Sequence, residues 1–206
     1  MAINLKIQAD VINIKTDTSQ QGDIFFVDTN VWFWYAYVNA GFSAKSYQLN
    51  NYPNYLNQAL SNGATLTYSG LTLAELAHII EKTEYEIYIQ SYGWLPIKEY
   101  RHNDPIERAN VVAEVQFTWR RVKAIAVPID LTVDDATTDA AINRFKTQAV
   151  DGYDLLLLEA ISRAGAGQIK IITDDIDYSV VPGIQVFTSN KYAIQEAASQ
   201  NKLMVR

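Results

Sequence analysis

The chain reads as short apolar blocks separated by polar punctuation, and the period of each block predicts its element. Residues 3 to 14 alternate in part (Ile3, Leu5, Ile7, then Val11, Ile12, Ile14), which predicts one or two short strands. The polar stretch Thr16 to Asp23 reads as a linker or turn. Ile24-Phe25-Phe26-Val27, bounded by Asp on both sides, has the length and the β-branched and aromatic content of a buried strand. An aromatic, helix-like stretch follows from Asn30. Pro53 opens a predicted helix through Leu60, closed by Asn62-Gly63. Residues 64 to 68 read as a strand. From about Thr72, Leu73, Leu76, Ala77 and Ile80 fall at i, i+3, i+4 and i+7 and give a helix one apolar stripe.

The second half repeats the alternation. The tyrosine-rich region from about 84 to 126 reads as an insertion, with a Gly93-Trp94-Leu95-Pro96 turn and a helix over about 106 to 124. A short strand near 125 to 129 precedes a helix from Val133 to Lys146. Asp151-Gly152 reads as a turn, and an apolar helix runs from Tyr153 to Ala164, ended by Gly165. Ile169 to Thr173 and Ile184 to Phe187 read as strands, and residues 190 to 200 as a last helix. Strands alternating with helices imply an α/β fold with a central parallel sheet and helices on both faces. Ligands of such sheets bind beyond the carboxyl ends of the strands. The expected division is an N-terminal extension over 1–22 and one domain over 23–206 carrying the 84–126 insertion.

Composition narrows the chemistry. Of 206 residues, 49% are hydrophobic, enough for a sizeable core. Cysteine is absent, which excludes disulfides, thiolate nucleophiles and zinc–thiolate sites. Two histidines, His78 and His102, leave no room for a multi-histidine metal centre. No signal-peptide pattern and no run near the roughly 20 residues of a membrane span is present, so a soluble cytoplasmic protein with no membrane role is expected. The formal charge of −6 argues against a sequence-reading nucleic-acid binder. That objection weakens if acids concentrate at a metal and Arg120-Arg121-Val122-Lys123 and Arg144/Lys146 form basic patches; a solvated helix face is the more usual reading of such runs.

The acids fall where the sheet rule puts a site. Asp28 follows the first core strand, Glu75 opens the helix after the second, and Asp154 opens the apolar helix. Asp174, Asp175 and Asp177 follow the strand at 169–173. Each has an ordinary structural reading. Asp28 suits an N-cap, Thr72-x-x-Glu75 is a capping-box pattern, Asp154 complements a helix dipole, and an Asp-rich turn after a strand is common. Together they would repel, and none has a Lys or Arg beside it in sequence. Such a set must take up protons or bind a cation, for which Mg²⁺ or Mn²⁺ with oxygen ligands is the natural choice. Two such ions support phosphodiester cleavage.

Phe26-Val27-Asp28-Thr29-Asn30 resembles the opening strand motif of PIN domains. Leu73-Ala74-Glu75-Leu76, Tyr153-Asp154-Leu155-Leu156 and Ile172-Thr173-Asp174-Asp175-Ile176-Asp177-Tyr178 resemble their second, third and fourth motifs, in family order. The resemblance covers about residues 23 to 80 and 125 to 190. It implies a three-layer α/β/α sandwich and a VapC-like, Mg²⁺- or Mn²⁺-dependent endoribonuclease, with RNA as substrate. By position, Asp28, Glu75, Asp154 and Asp175 would be catalytic metal ligands and Asp177 an auxiliary acid. Thr29, Asn30 and Thr173 would orient the carboxylates. Many relatives are toxins held by an antitoxin, and an antitoxin partner and a homo-oligomer follow as expectations. This chain departs by its length, by its N-terminal and 84–126 segments, and by the extra Asp174.

Other residues carry weaker signals. Tyr85, Tyr88, Tyr92, Trp94 and Tyr100 suit base stacking or plain packing. Trp32 and Trp34 read as core or interface. His78, three residues after Glu75, reads as structural. Lys191 after the last strand matches a feature of receiver domains, but those want paired acids after the first strand, where Asp28 stands alone. A haloacid-dehalogenase-type phosphohydrolase wants Asp-x-Asp there, and residue 30 is Asn. The competing reading from another class is a catalytically silent PIN-like module that binds RNA or protein as a scaffold.

Overall fold

A computed structural model describes residues 5–163 and 168–206. Its elements are β1 (Asp10–Asn13), β2 (Ile24–Val27), α1 (Thr29–Ala36), α2 (Ser46–Ser61), β3 (Thr65–Tyr68), α3 (Gly70–Tyr92), α4 (Ile97–Asn103), α5 (Pro105–Ile125), β4 (Val127–Pro128), α6 (Asp135–Phe145), α7 (Gly152–Arg163), β5 (Lys170–Ile172), β6 (Gln185–Thr188), α8 (Lys191–Ser199) and β7 (Leu203–Met204). The strands form one seven-stranded sheet in the order β4-β3-β2-β5-β6-β1-β7. Every pairing is parallel.

The period of two along each strand sorts side chains between two cores. Phe25 and Val27, with Ile12, Ile172 and Phe187, face a layer of α1, α2, α3 and α5 through Trp32, Tyr52, Leu56, Leu76 and Val122. Phe26, with Val11, Ile171 and Val186, faces the opposite layer of α6, α7 and α8 through Ala141, Leu158 and Ala197. The fold is therefore a three-layer α/β/α sandwich. A strand buried on both faces needs an unbroken apolar run, which is why Ile24 to Val27 lacks polar alternation.

Strand order fixes the place for a ligand. From β2 the chain crosses to β3 on one side, whereas from β5 it goes to β6 on the other. The crevice between the carboxyl ends of β2 and β5 is thus a topological switch point. Asp28 leaves β2 there, and Thr173 to Asp175 leave β5 there.

Several elements depart from the sequence expectation. Helix α2 begins seven residues before Pro53, not at it. An interior proline removes a helical hydrogen bond and costs roughly 3 kcal/mol. Buried Tyr52, Tyr55 and Leu56, and Tyr47 and Gln48 bonded to Asp174, offset that cost. Helix α3 starts at Gly70, capped by Ser69, whose side chain pairs with Thr72. Glu75 therefore sits in the second turn and plays no part in capping. The segment expected to be an extension enters the sheet, since β1 lies between β6 and β7. Likewise α5, from the expected insertion, contributes Val122 to the first core. The two-residue β7 had no readable period. Ile3, Ala164 and Gly165, which the sequence pattern assigns to element ends, lie outside the described residues. Among the described residues no helix is long and apolar enough to cross a membrane.

Candidate functional site

Asp28 occupies the N-cap position of α1, yet its side chain makes no capping hydrogen bond. Its backbone N–H instead continues the ladder to the Ile172 carbonyl at 3.0 Å, which pins the residue to the β2–β5 crevice. The carboxylate is buried, and its Oδ2 accepts the Thr173 hydroxyl at 2.7 Å. The Thr173 Oγ1 in turn accepts the backbone N–H of Asp175 at 2.9 Å. One buried threonine thereby ties the acid after β2 to the acid after β5. Burial pushes Asp28 up to about 7; the Thr173 hydroxyl opposes the rise and the charges of Glu75 and Asp175 add to it.

Asp154 reaches the same crevice from the first turn of α7. Its Oδ1 accepts the Tyr178 hydroxyl at 2.7 Å. Burial raises it to about 8 despite that bond, with Asp28, Asp151 and Asp175 contributing. Glu75 is raised by burial, eased by the Thr29 hydroxyl, and raised again by Asp151 and Asp175. Asp175 is raised by burial and by Asp151 and Asp174, while the Asp177 N–H, 2.9 Å from its Oδ1, lowers it. Asp177, opening a short 3-10 turn over Asp177–Val180, is raised by burial, then by Asp175 and Asp151. Asp28, Glu75, Asp154 and Asp177 thus each feel the charge of another member of the set, Asp175 in every case, while Asp175 itself is raised by its neighbours Asp151 and Asp174.

Among the described residues, none of these acids forms an ion pair. A hard divalent cation suits such a donor set: all oxygen, negatively charged and uncompensated. Thr173 and Tyr178 each hold one oxygen of an acid by a hydrogen bond. No group of three or more acidic or imidazole side chains among the described residues is drawn together as a ready metal cage. The chemistry of the set fits Mg²⁺ or Mn²⁺, and closing on an ion would require the carboxylates to converge.

No protein-family model and no curated protein matches the chain. Among solved structures, the chain is similar to one described as the crystal structure of VapBC2 from Rickettsia felis bound to a DNA fragment from their promoter. Identity is 15%, the TM-score 0.48, and the match covers 80% of this chain and 98% of that one.

The structure also shows what sequence reasoning missed. Asp151 caps α7, its Oδ1 accepting the N–H groups of Tyr153 and Asp154 at 2.9 and 3.0 Å. It acts on Glu75, Asp154, Asp175 and Asp177 through its charge. The Asp-x-x-Asp spacing of Asp151 and Asp154 was the available signal. Asp174, by contrast, is committed elsewhere: Oδ2 accepts Tyr47 and Gln48 at 2.6 and 2.7 Å, and Oδ1 accepts Tyr52 at 2.6 Å. Asn30 is half-buried beside Asp28, and its backbone N–H favours the charged carboxylate.

The remaining candidates separate from the site. Tyr85 and Tyr88 each pack on Tyr100, at 5.4 and 5.1 Å between centroids, while Tyr92 and Trp94 are exposed. Trp32 is core, and Trp34 packs on Tyr52 at 5.2 Å. His78 lines a cavity between α3 and α5 with Arg108 and Gln116. The expected Arg144/Lys146 patch is spent locally: Arg144 pairs with Glu159 at 3.0 Å and Lys146 bonds Asn143 at 2.9 Å. Arg121 donates to the Ala36 carbonyl at 2.7 Å, so it too serves packing.

Proposed function

We propose that the chain is a divalent-metal-dependent nuclease that hydrolyses phosphodiester bonds of RNA. One observation supports the reading: acids from four separate segments lie near enough to the β2–β5 switch point to influence one another's ionisation, and among the described residues none of them forms an ion pair. Asp28, Glu75, Asp154 and Asp175 would hold the metal, with Asp177 and Asp151 at its margin. Bound Mg²⁺ or Mn²⁺ supplies Lewis acidity toward the phosphoryl group and acidifies water. The chain's own part is orientation. Thr173 fixes Asp28 and the Asp175 backbone, Tyr178 fixes Asp154, and Thr29 steadies Glu75. Partners of this kind, when removed, cost about 10–100-fold in metal affinity.

A second reading, the silent binding module, is favoured by the absence of a ready three-acid cage among the described residues. Cleavage of a mixed single-stranded and structured RNA pool with Mg²⁺, with Mn²⁺ and with EDTA separates the two. The nuclease reading expects metal-dependent products that Asp28→Asn abolishes. RNA left intact in both metals, or equal cleavage by Asp28→Asn, overturns it.

A further inference from the structure

A second cavity opens at the same carboxyl edge of the sheet, on the far side of β6. It has a volume of about 430 Å³, and its wall includes Asn13 and Lys15 at and just after the end of β1, Tyr47 and Asn51 from α2, Ser189 between β6 and α8, and Lys191 at the start of α8. Ser189 is 3% exposed. Its Oγ is buried without a hydrogen-bond partner. An orphaned buried hydroxyl is costly and marks a missing partner. Lys15 and Lys191 are exposed and form no ion pair with another described residue. The neighbouring carboxylate, Asp174, has its oxygens engaged by Tyr47, Gln48 and Tyr52. The Ser189 hydroxyl, the Asn13 and Asn51 amides and two ammonium groups around one hollow are donors awaiting an acceptor. The matching ligand is a tetrahedral oxyanion.

We propose that this pocket binds a phosphate group, and that in the nuclease it takes a backbone phosphate of the RNA strand beside the one being cleaved. This second clause rests on the function proposed above. The β6–β1 pocket lies two strand spacings from the β2–β5 crevice, on the order of 10 Å along one sheet edge. A strand laid along that edge meets carboxylates and their metal at one point and lysines at the next. The pocket also eases the objection from net charge, because it sets two cations, unpaired among the described residues, in the path of the strand. Half of its charge comes from the N-terminal segment, which gives that segment a role beyond extending the sheet.

The test uses the full chain and a fluorescent single-stranded RNA in EDTA, so that binding is read without cleavage. The Lys15→Ala/Lys191→Ala double variant should bind about tenfold more weakly. Its dependence of log affinity on log salt should be shallower by about 0.7 for each phosphate that is no longer neutralised. Ser189→Ala should weaken binding several-fold while its metal-free melting temperature stays level or rises, since an orphaned hydroxyl is removed. Asp28→Asn should bind RNA at least as well as wild type while losing cleavage. In a second arm, inorganic phosphate should raise the melting temperature of wild type and not of the double variant. An effect confined to that arm assigns the pocket to a free phosphate rather than a strand. Lysine-dependent binding without any cleavage keeps the pocket and removes the nuclease. If neither RNA affinity nor phosphate stabilisation responds to the lysines, the pocket holds only water and the proposal fails. A Ser189→Ala protein that melts lower shows the hydroxyl is bonded within the fold and also overturns it.

Discussion

Thr173 and Tyr178 are the residues through which the acid set is organised, and both act by donating a hydrogen bond to a carboxylate. These bonds favour the charged forms, but burial wins: Asp28 is pushed up to about 7 and Asp154 to about 8 from an ordinary value of 3.8. The folded, metal-free protein therefore holds these protons more tightly than the unfolded chain. The stability they contribute is complete below about pH 4 and is lost as pH rises through 7 to 8. In EDTA, the melting temperature of wild type should fall between pH 5 and pH 8.5. Asp28→Asn and Asp154→Asn should each flatten that fall, because the amide has no charge to bury. Thermal melts across pH check this, and variants whose profiles run parallel to wild type would contradict it. The positions of Asp28, Asp154 and Asp175 were legible in the sequence, since each follows a strand or opens a helix, whereas Glu75 lies in the second turn of α3 and not at its start. Asp151 and Tyr178 were not, because Asp-Gly reads locally as a turn and a buried tyrosine reads as core. Only tertiary proximity gives either one an electrostatic role.

At the scale of elements, α2 shows how a tertiary contact overrides a local signal. Pro53 is a helix-start residue by its own chemistry, yet the helix runs through it. The turn before it carries Tyr47, Gln48 and Tyr52 onto Asp174, and Tyr52 also accepts the Ser189 N–H at 3.0 Å. The carboxylate is thus a docking post for α2, one residue from an acid assigned to the metal. Two adjacent aspartates differ in their surroundings, Asp174 bonded to three side chains and Asp175 proposed for the metal, and no sequence period distinguishes them. Tyr52→Phe should cost about 1–3 kcal/mol by leaving buried polar groups unpaired. Asp174→Asn should destabilise in the same direction, and both should keep kcat for RNA cleavage close to wild type. Asp175→Asn should do the reverse, losing kcat with little loss of stability. Urea denaturation and cleavage measured on the three variants decide the assignment. A large loss of kcat in Asp174→Asn would place that residue in the metal site. The strands were easier to read than this helix. Four apolar residues between polar stops can only be a buried strand or a fragment of helix, and alternation with long helices decides it. Strand β7 escaped because two residues carry no period.

Across the whole molecule, acids are handled in two ways at the two edges of the sheet. At the β2–β5 crevice they face one another and form no ion pair among the described residues. Along the β1–β2 connection and at the start of β5 they are paired: Arg206 donates to Asp17 at 2.8 and 3.0 Å and to Asp23 at 2.8 Å, and Lys170 meets Asp23 at 2.6 Å. The Arg206 guanidinium also lies 4.5 Å from the Phe187 ring centroid. Those bonds hold Asp23 down at about 2 even though burial opposes them. Its stability contribution is present above about pH 4 and is lost as pH falls through 2, a window separate from that of Asp28. Arg206→Ala leaves buried Asp17 without its ion pair and Asp23 with Lys170 alone, and breaking a buried pair costs about 3–5 kcal/mol. The same variant leaves the far edge untouched, which provides a control for the metal proposal. Wild type should gain about 2.7 kcal/mol when Mg²⁺ or Mn²⁺ reaches a hundred times its dissociation constant. Arg206→Ala should start from a lower melting temperature and gain the same increment. Asp28→Asn should start level with or above wild type and gain almost nothing. Equal metal increments in all three proteins would mean that the ion binds somewhere other than the β2–β5 crevice. A missing increment in Arg206→Ala alone would mean that the two edges are coupled through the sheet.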